Sequence, residues 1–251
     1  MKLLRIISRL DLKFDKVVKG IHLEGWKKYG DANELCKKYY EQGVDEIIFL
    51  DSVASLYNRD KTVEILEKSA RNLFIPIAAG GGIKNIWDAE ELFRSGADKI
   101  TINSAAIKEP KIINEISKNF GSQSLVISIQ AKRQGNDWNI YFDAGREKTE
   151  IKVCDWINKC QDLGAGEFLL TSIDKDGTGE GFDLELIKTT TKISSIPLIV
   201  SGGFGDLSHL DELIKFKKVT GLAIGRALHT NKFNINDIKQ YLIRKNITIR
   251  I

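Results

Sequence analysis

A closed (β/α)8 barrel is the fold class this sequence predicts, and three observations predict it. Short apolar runs alternate with stretches of helical spacing from one end of the chain to the other, which is how a parallel sheet reads. Eight such units fit into 251 residues, the size at which parallel strands close on themselves. The third observation is an internal repeat. Pro197 follows Pro76 by 121 residues, and the same offset relates Glu46 to Glu167, Asp51 to Ser172, Gly82 to Gly203 and Ser104 to Gly225. Four units resemble the next four, so half-barrels of about 1–121 and 122–251 in a single domain are expected, with two similar sites across a pseudo-twofold axis. A doubly wound open sheet is the alternative. It is weakened because no Gly-x-Gly-x-x-Gly turn follows the first strand.

The elements follow in order. Leu3–Leu10 is an apolar run ending at Asp11, and a long polar stretch containing Lys19 and Gly20 comes next. Asp31 is placed to N-cap a helix running to about Gln42. Glu46–Leu50 is the second strand, Thr62–Asn72 a helix and Ile75–Ala79 the third strand. Ile86–Ser95 is a helix closed by Gly96, followed by a strand at Lys99–Ile102. Pro110 suits the first position of the helix ending near Gly121. Leu125–Ile129 delivers Gln130 at its end. Alternating Trp138, Ile140 and Phe142 make Gln134–Glu150 a small hairpin. Helix Lys152–Leu163, strand Glu167–Thr171, a glycine-rich loop at Asp174–Gly179, helix Leu184–Ile193 and strand Leu198–Val200 follow. Helix Leu207–Lys217, strand Gly221–Ile224 and helix Ile235–Arg244 finish the alternation.

Composition sets limits on function. Hydrophobic residues at 42% and charged residues at 29% describe an ordinary globular chain, and a net charge of +4 is spread along helical segments. Nucleic-acid binding would want clustered bases and aromatics. No apolar run reaches membrane-spanning length, and the first nine residues are broken by charge too soon for a signal peptide. Cys36, Cys154 and Cys160 form no metal or disulfide pattern, so no metal or cofactor is expected and a reducing cytoplasm fits. His22, His209 and His229 have no partner pattern and read as loop or surface residues.

In a barrel, strand C-termini face the active site. Those positions hold Asp11, Asp51, Gly81-Gly82, Asn103-Ser104, Gln130, Thr171, Gly202-Gly203 and Gly225. The glycines either cradle phosphates, one at each end of a substrate, or simply permit tight turns. Asp11 is the acid/base candidate, since a carboxyl at a barrel mouth can have its pKa raised; a capping or salt-bridged role is the alternative. Asp176 and Gly177 lie in the glycine-rich loop, where the aspartate either contacts substrate or holds the turn. At the strand starts, Arg5, Glu46, Lys99 and Glu167 would form a ring of alternating charge if they point inward. Such a ring is a structural plug or a functional gate.

Taken in order, Val17-Val18-Lys19-Gly20, Phe49-Leu50-Asp51, Gly80-Gly81-Gly82-Ile83, Gly96-Ala97-Asp98-Lys99, Ile102-Asn103-Ser104-Ala105-Ala106, Phe120-Gly121-Ser122-Gln123, Leu170-Thr171-Ser172 and Asp174-Lys175-Asp176-Gly177-Thr178 resemble one family over essentially the whole chain. It is the cyclase subunit of imidazole glycerol phosphate synthase, the barrel half of a glutamine amidotransferase in histidine biosynthesis. The resemblance implies a glutaminase subunit docked at the barrel bottom, with Asp98 at that interface. Ammonia would pass a gate of Arg5, Glu46, Lys99 and Glu167 and travel through the barrel. At the top it would meet a bis-phosphorylated ribotide, with Lys19 on a mobile loop over the substrate.

Three departures stand out. The family uses two aspartates as acid and base; one matches Asp11, and the other falls at Gln130, which cannot take a proton at physiological pH. Arg9 replaces a small cysteine beside Asp11, and it would lower that carboxyl's pKa. Ile224-Gly225-Arg226-Ala227 also replaces a more polar pattern near the second phosphate. Losing the second aspartate is similar to paralogues associated with surface-sugar amidation, which pair with a glutaminase and hand ammonia to a separate sugar amidotransferase. The expectation is accordingly a synthase subunit that conducts ammonia to a phosphate-binding mouth with weak or no cyclase activity. A working histidine-pathway cyclase is the alternative. A phosphosugar isomerase of the related half-barrel family comes behind both, since an isomerase has no need of a charged gate.

Overall fold

The structure is a computed structural model that describes residues 3–54 and 60–250; Met1 and Lys2 of the amino-terminal stretch lie outside the described residues. Eight strands run parallel: β1 (Arg5–Lys13), β4 (Glu46–Asp51), β5 (Ile77–Gly80), β6 (Lys99–Ile102), β7 (Leu125–Gln134), β10 (Glu167–Ser172), β11 (Leu198–Ser201) and β12 (Val219–Ile224). Each pairs with the next, β12 pairs with β1, and β7 pairs with β10, so the sheet closes. It is a (β/α)8 barrel.

Two additions sit on this frame. β2 (Lys16–Ile21) and β3 (Glu24–Asp31) form an antiparallel ribbon continuing from β1. The polar stretch around Lys19 is therefore ordered strand: Val17, Val18, Lys19 and Gly20 of β2 are buried on both faces, while β3 stays partly to fully exposed. The expected later hairpin is present as β8 (Asp137–Phe142) and β9 (Glu147–Lys152), paired to an extended β7.

The helices pack outside. α1 (Ala32–Glu41) starts where Asp31 accepts from the Asn33 and Glu34 amides, a cap that satisfies two otherwise unpaired donors. α3 (Ile86–Arg94) and α10 (Ile235–Arg244) open on reciprocal capping boxes at Asn85 and Asn234. The remaining helices are α2 (Asp60–Ala70), α4 (Ser104–Lys108), α5 (Lys111–Phe120), α6 (Val153–Asp162), α7 (Leu184–Ile193), α8 (His209–Leu213) and α9 (Arg226–His229). Pro110 caps α5 one position earlier than expected, and α8 is shorter than its apolar spacing suggested.

Alternate strand residues point into the barrel. Ile7, Ile48, Ala78, Val126, Leu169, Ile199 and Ala223 form a buried cluster separate from the core between sheet and helices. This apolar plug fills the middle of the barrel, as side-chain layers do in closed parallel barrels. Two residues earlier on the same inward track stand Arg5, Glu46 and Glu167, and two residues later stand Arg9, Leu50, Ser128 and Thr171. Thr101, level with Gly80 at the C-terminal end of the strands, joins the mouth side, so the polar inward residues named here are sorted to one end or the other.

Candidate functional site

At the C-terminal mouth, two aspartates and two cations form one buried cluster. Arg9 Nε lies 2.8 Å from Asp11 Oδ1, and Lys19 Nζ lies 2.7 Å from Asp11 Oδ2. The same Lys19 nitrogen is 2.9 Å from Asp176 Oδ2, ion-paired but off the hydrogen-bonding angle. Arg9 Nη1 donates to Thr171 Oγ1 at 2.9 Å and to Ser201 Oγ at 3.2 Å. Arg9, Asp11, Lys19 and Asp176 are all buried. Burial alone would raise the Asp11 pKa, but the Arg9 and Lys19 charges outweigh it and hold the carboxyl well below the usual range. A raised carboxyl at the mouth was one expectation, and the structure reverses its sign.

The β2–β3 ribbon delivers Lys19 to this cluster. His22 N donates to Asp176 O at 2.8 Å, and Leu23 packs with Tyr141 and Ile173. The backbone of Gly20 comes so close to Gly177 that a Cβ there would lie 2.1 Å from Gly20 O. Gly177 also has φ +74°, so glycine is required twice over at this contact. The expected mobile-loop position of Lys19 is, in this structure, a buried ion-paired strand position.

Two cavities open at the mouth, one over each half of the barrel. The first encloses about 300 Å3 and is walled by Arg9, Asp11, Lys19, Asp51, Gly81, Gly82, Asn103, Ser104 and Gln130, with Lys84 and Lys108 at its rim. Some of these side chains are already engaged. Asp51 accepts from Val53 N and Thr62 Oγ1, at 2.9 and 2.6 Å. Asn103 Nδ2 donates to the carbonyls of Ser128 and Tyr141, and Ser104 Oγ accepts from Asp143 N. Among the described residues Gln130 Oε1 and Thr101 Oγ1 are buried without a partner, although both residues line this cavity. Such orphaned groups are uncommon in folded proteins and mark a place for a ligand donor or water.

The second cavity, about 340 Å3, is walled by Lys19, Asp176, Gly177, Gly203, Arg226 and Lys232 among others. Thr171, Gly202 and Gly225 are not in either wall. Arg9 engages the Thr171 hydroxyl, while Gly202 and Gly225 pack against backbone and side chains beneath. Lys19 is common to both cavities, so the salt-bridged cluster divides the mouth.

Sequence reasoning missed His229. It is buried, with Nδ1 2.7 Å from the Tyr39 hydroxyl and Nε2 without a hydrogen-bond partner among the described residues. Burial, together with the Lys19 charge, lowers its pKa to about 4. Its signal is faint: α9 spans only four residues, and Ala227-Leu228 ahead of it are the sole apolar cue.

At the opposite end of the strands, the four charged residues close into a ring. Arg5 Nη1 is 2.6 Å from Glu46 Oε2, and Arg5 Nη2 bonds Glu167 Oε1. Lys99 Nζ is 3.0 Å from Glu46 Oε1 and 2.9 Å from Glu167 Oε2. Each ion faces two of opposite sign, and the ring spans the base of the apolar plug. Asp98 lies beside it, exposed, with Oδ2 accepting from Ile77 N at 2.8 Å. Among the described residues, no group of three or more His, Cys, Asp and Glu could hold a metal ion, and no helix is long and apolar enough to cross a membrane.

A repeated parallel barrel with a divided, ion-paired mouth and a charge-closed base is the class of molecule that fold and site define. Residues 5–234 match the family model of the histidine biosynthesis proteins. An imidazole glycerol phosphate synthase subunit HisF from Legionella pneumophila is 50% identical over 212 residues, covering 84% of this chain and all of that protein. The subunit of the same name from Prochlorococcus marinus (strain MIT 9515) is 42% identical across the whole of this chain and 98% of its own. One from Lactococcus lactis subsp. cremoris (strain SK11) is 43% identical over 98% of this chain and 96% of its own. The chain belongs to the histidine biosynthesis protein family, among its imidazole glycerol phosphate synthase HisF subunits.

Proposed function

We propose that this chain is the ammonia-using barrel subunit of a glutamine-dependent imidazole glycerol phosphate synthase, working on a phosphorylated ribotide at its mouth with a single acid/base carboxylate. The observation that carries this reading is the pairing of a charge-closed base with a polar mouth at the two ends of one apolar barrel axis. A glutaminase docked at the base, with Asp98 at the interface, supplies ammonia through the ring of Arg5, Glu46, Lys99 and Glu167. The names of the relatives agree with ring closure as the reaction. The two cavities take one phosphate each: Gly81, Gly82, Asn103 and Ser104 on one side, and Gly177 and Gly203 on the other, with Gly202 and Gly225 packed beneath the second cavity and Asp51 and Thr171 holding the strand ends.

Chemistry at the mouth then falls to Asp11. Ring closure moves protons from the incoming nitrogen, and Asp11 is the carboxylate positioned to shuttle them once substrate draws Lys19 or Arg9 away. Gln130 can hold a donor hydrogen but cannot relay it. Loss of one acid/base group costs about 10²–10⁴ in rate, so turnover is slow.

A second reading is favoured by one specific observation, the Arg9–Asp11 pair beside Gln130. In it the chain belongs to the sugar-amidation branch, ring closure is absent, and ammonia goes to a separate sugar amidotransferase. Purified protein given an ammonium salt and the ribotide, without glutaminase, separates the two. The first reading expects slow product formation that Asp11→Asn abolishes; no product at any enzyme concentration would favour the second.

A further inference from the structure

His229 is buried beneath the mouth, and the chemistry of the site makes no use of it. Its ring is a meeting point of three elements. α9 carries it, and Tyr39 of α1 stacks on it with centroids 5.8 Å apart and planes inclined by 29°. Tyr29 of β3 lies on it at 5.6 Å and 43°. The imidazole therefore ties the ribbon that carries Lys19 to the helices outside the barrel.

The remaining edge of the ring faces Lys19. A Cβ built on Gly225 would lie 3.4 Å from Lys19 Cε, 3.4 Å from Arg9 O and 3.5 Å from His229 Nε2. The three groups converge on the spot that this glycine leaves without a side chain. After burial, the Lys19 charge is the largest influence on the ring's proton, ahead of Asp11, the Arg9 backbone and Lys38. Burial and Lys19 both disfavour the cation, so the ring is neutral and carries one hydrogen. A bare Nε2 would turn its lone pair on the Arg9 carbonyl oxygen. The hydrogen therefore belongs on Nε2, and the Tyr39 hydroxyl donates to Nδ1.

We infer that His229 is a positioning residue for Lys19: its ring, clamped by Tyr39 and Tyr29, is the floor under the lysine stem and holds the ammonium on Asp11 and Asp176. Lys19 is the cation common to both cavities. Ordering it in advance spares an anionic ligand the entropy of fixing a flexible side chain, which is worth about threefold to tenfold in affinity. The inference rests on the proposed function for the ribotide as that ligand.

Two measurements on the intact chain test it. Proton–nitrogen spectra of protein carrying isotope-labelled lysine show the Lys19 ammonium, identified by its loss in Lys19→Arg, as a resonance that burial and ion pairing protect from exchange. Titration calorimetry with the bis-phosphorylated ribotide, ammonia withheld, gives the affinity. His229→Leu fills the space without an N–H; it should broaden the ammonium resonance and weaken ribotide binding about threefold to tenfold. His229→Gln, whose amide nitrogen reaches the place of Nε2, should restore both. Tyr39→Phe keeps the ring but releases Nδ1, should give a smaller loss of the same kind, and carries the test should His229→Leu fail to fold. A sharp resonance with unchanged affinity in the folded variant, or equal losses in the leucine and glutamine variants, would overturn the positioning role. A wild type that binds no ribotide would instead overturn the proposed function, and the ammonium resonance would then decide the positioning role by itself. Melting curves show which variants are folded.

Discussion

Removing the Arg9 guanidinium would leave Asp11 with Lys19 as its one cation and uncover the hydroxyls of Thr171 and Ser201. Breaking a buried pair by deleting one partner costs about 3–5 kcal/mol. Arg9→Ala should therefore lower stability by that order in denaturant titration, and the Asp11 carboxyl should move up toward the ordinary range, visible in a carboxyl NMR titration. His229 makes a second residue-scale prediction. Its folded pKa of about 4 lies below the ordinary 6.5. Between those values the unfolded chain binds more protons, so stability is complete above about pH 6.5 and falls as pH drops toward 4. The loss amounts to at most about 3 kcal/mol, because each tenfold difference in proton affinity between the two states is worth about 1.4 kcal/mol. His229→Gln should flatten the stability–pH curve across that window; an unchanged slope would place the histidine elsewhere in the titration.

At the scale of elements, the base ring and the ribbon behave differently toward a reader of the sequence. The ring was legible because charge at the start of an apolar strand is conspicuous, and Glu46 and Glu167 recur at the repeat offset. Lys99→Ala would leave Glu46 and Glu167 sharing only Arg5, at a cost of about 3 kcal/mol. For a chain of this size the melting temperature should fall by roughly 6–12 °C; an unchanged melting temperature would mean that the ring carries no net stability. The ribbon was not legible. Lys16–Asp31 is mostly polar, and a lysine in such a stretch reads as solvated. Lys19 is buried because Asp11, eight residues before it, and Asp176, far later in the chain, both need a cation. That pairing exists only after the barrel closes. Likewise the glycine at 177 reads as a turn or phosphate residue, while its tightest constraint is the ribbon backbone lying on it.

The whole molecule follows from the repeat. Two halves that each leave strand edges open complete one another through the β12–β1 and β6–β7 pairings. Neither half buries the barrel interior alone, so the chain should unfold as one domain. Circular dichroism and tryptophan fluorescence should give coincident denaturant transitions; two separated transitions would show halves that fold independently. Alternation and closure were readable from pattern and offset, although β1 and β7 run past their expected ends at Leu10 and Ile129 to Lys13 and Gln134, where they pair with the added ribbon and hairpin. The state of the mouth was not, since it depends on which of Arg9, Asp11, Lys19 and Asp176 meet in space. In our reading this mouth still closes a ring with one carboxylate, slowly, for want of an acid at residue 130. Ammonium-dependent turnover of the ribotide by the wild type and by the Arg9→Cys, Gln130→Asp double variant tests that reading without intermediaries. A slow wild-type rate is expected, rising by about 10² or more in the double variant. A wild-type rate that the two substitutions leave unchanged would contradict it.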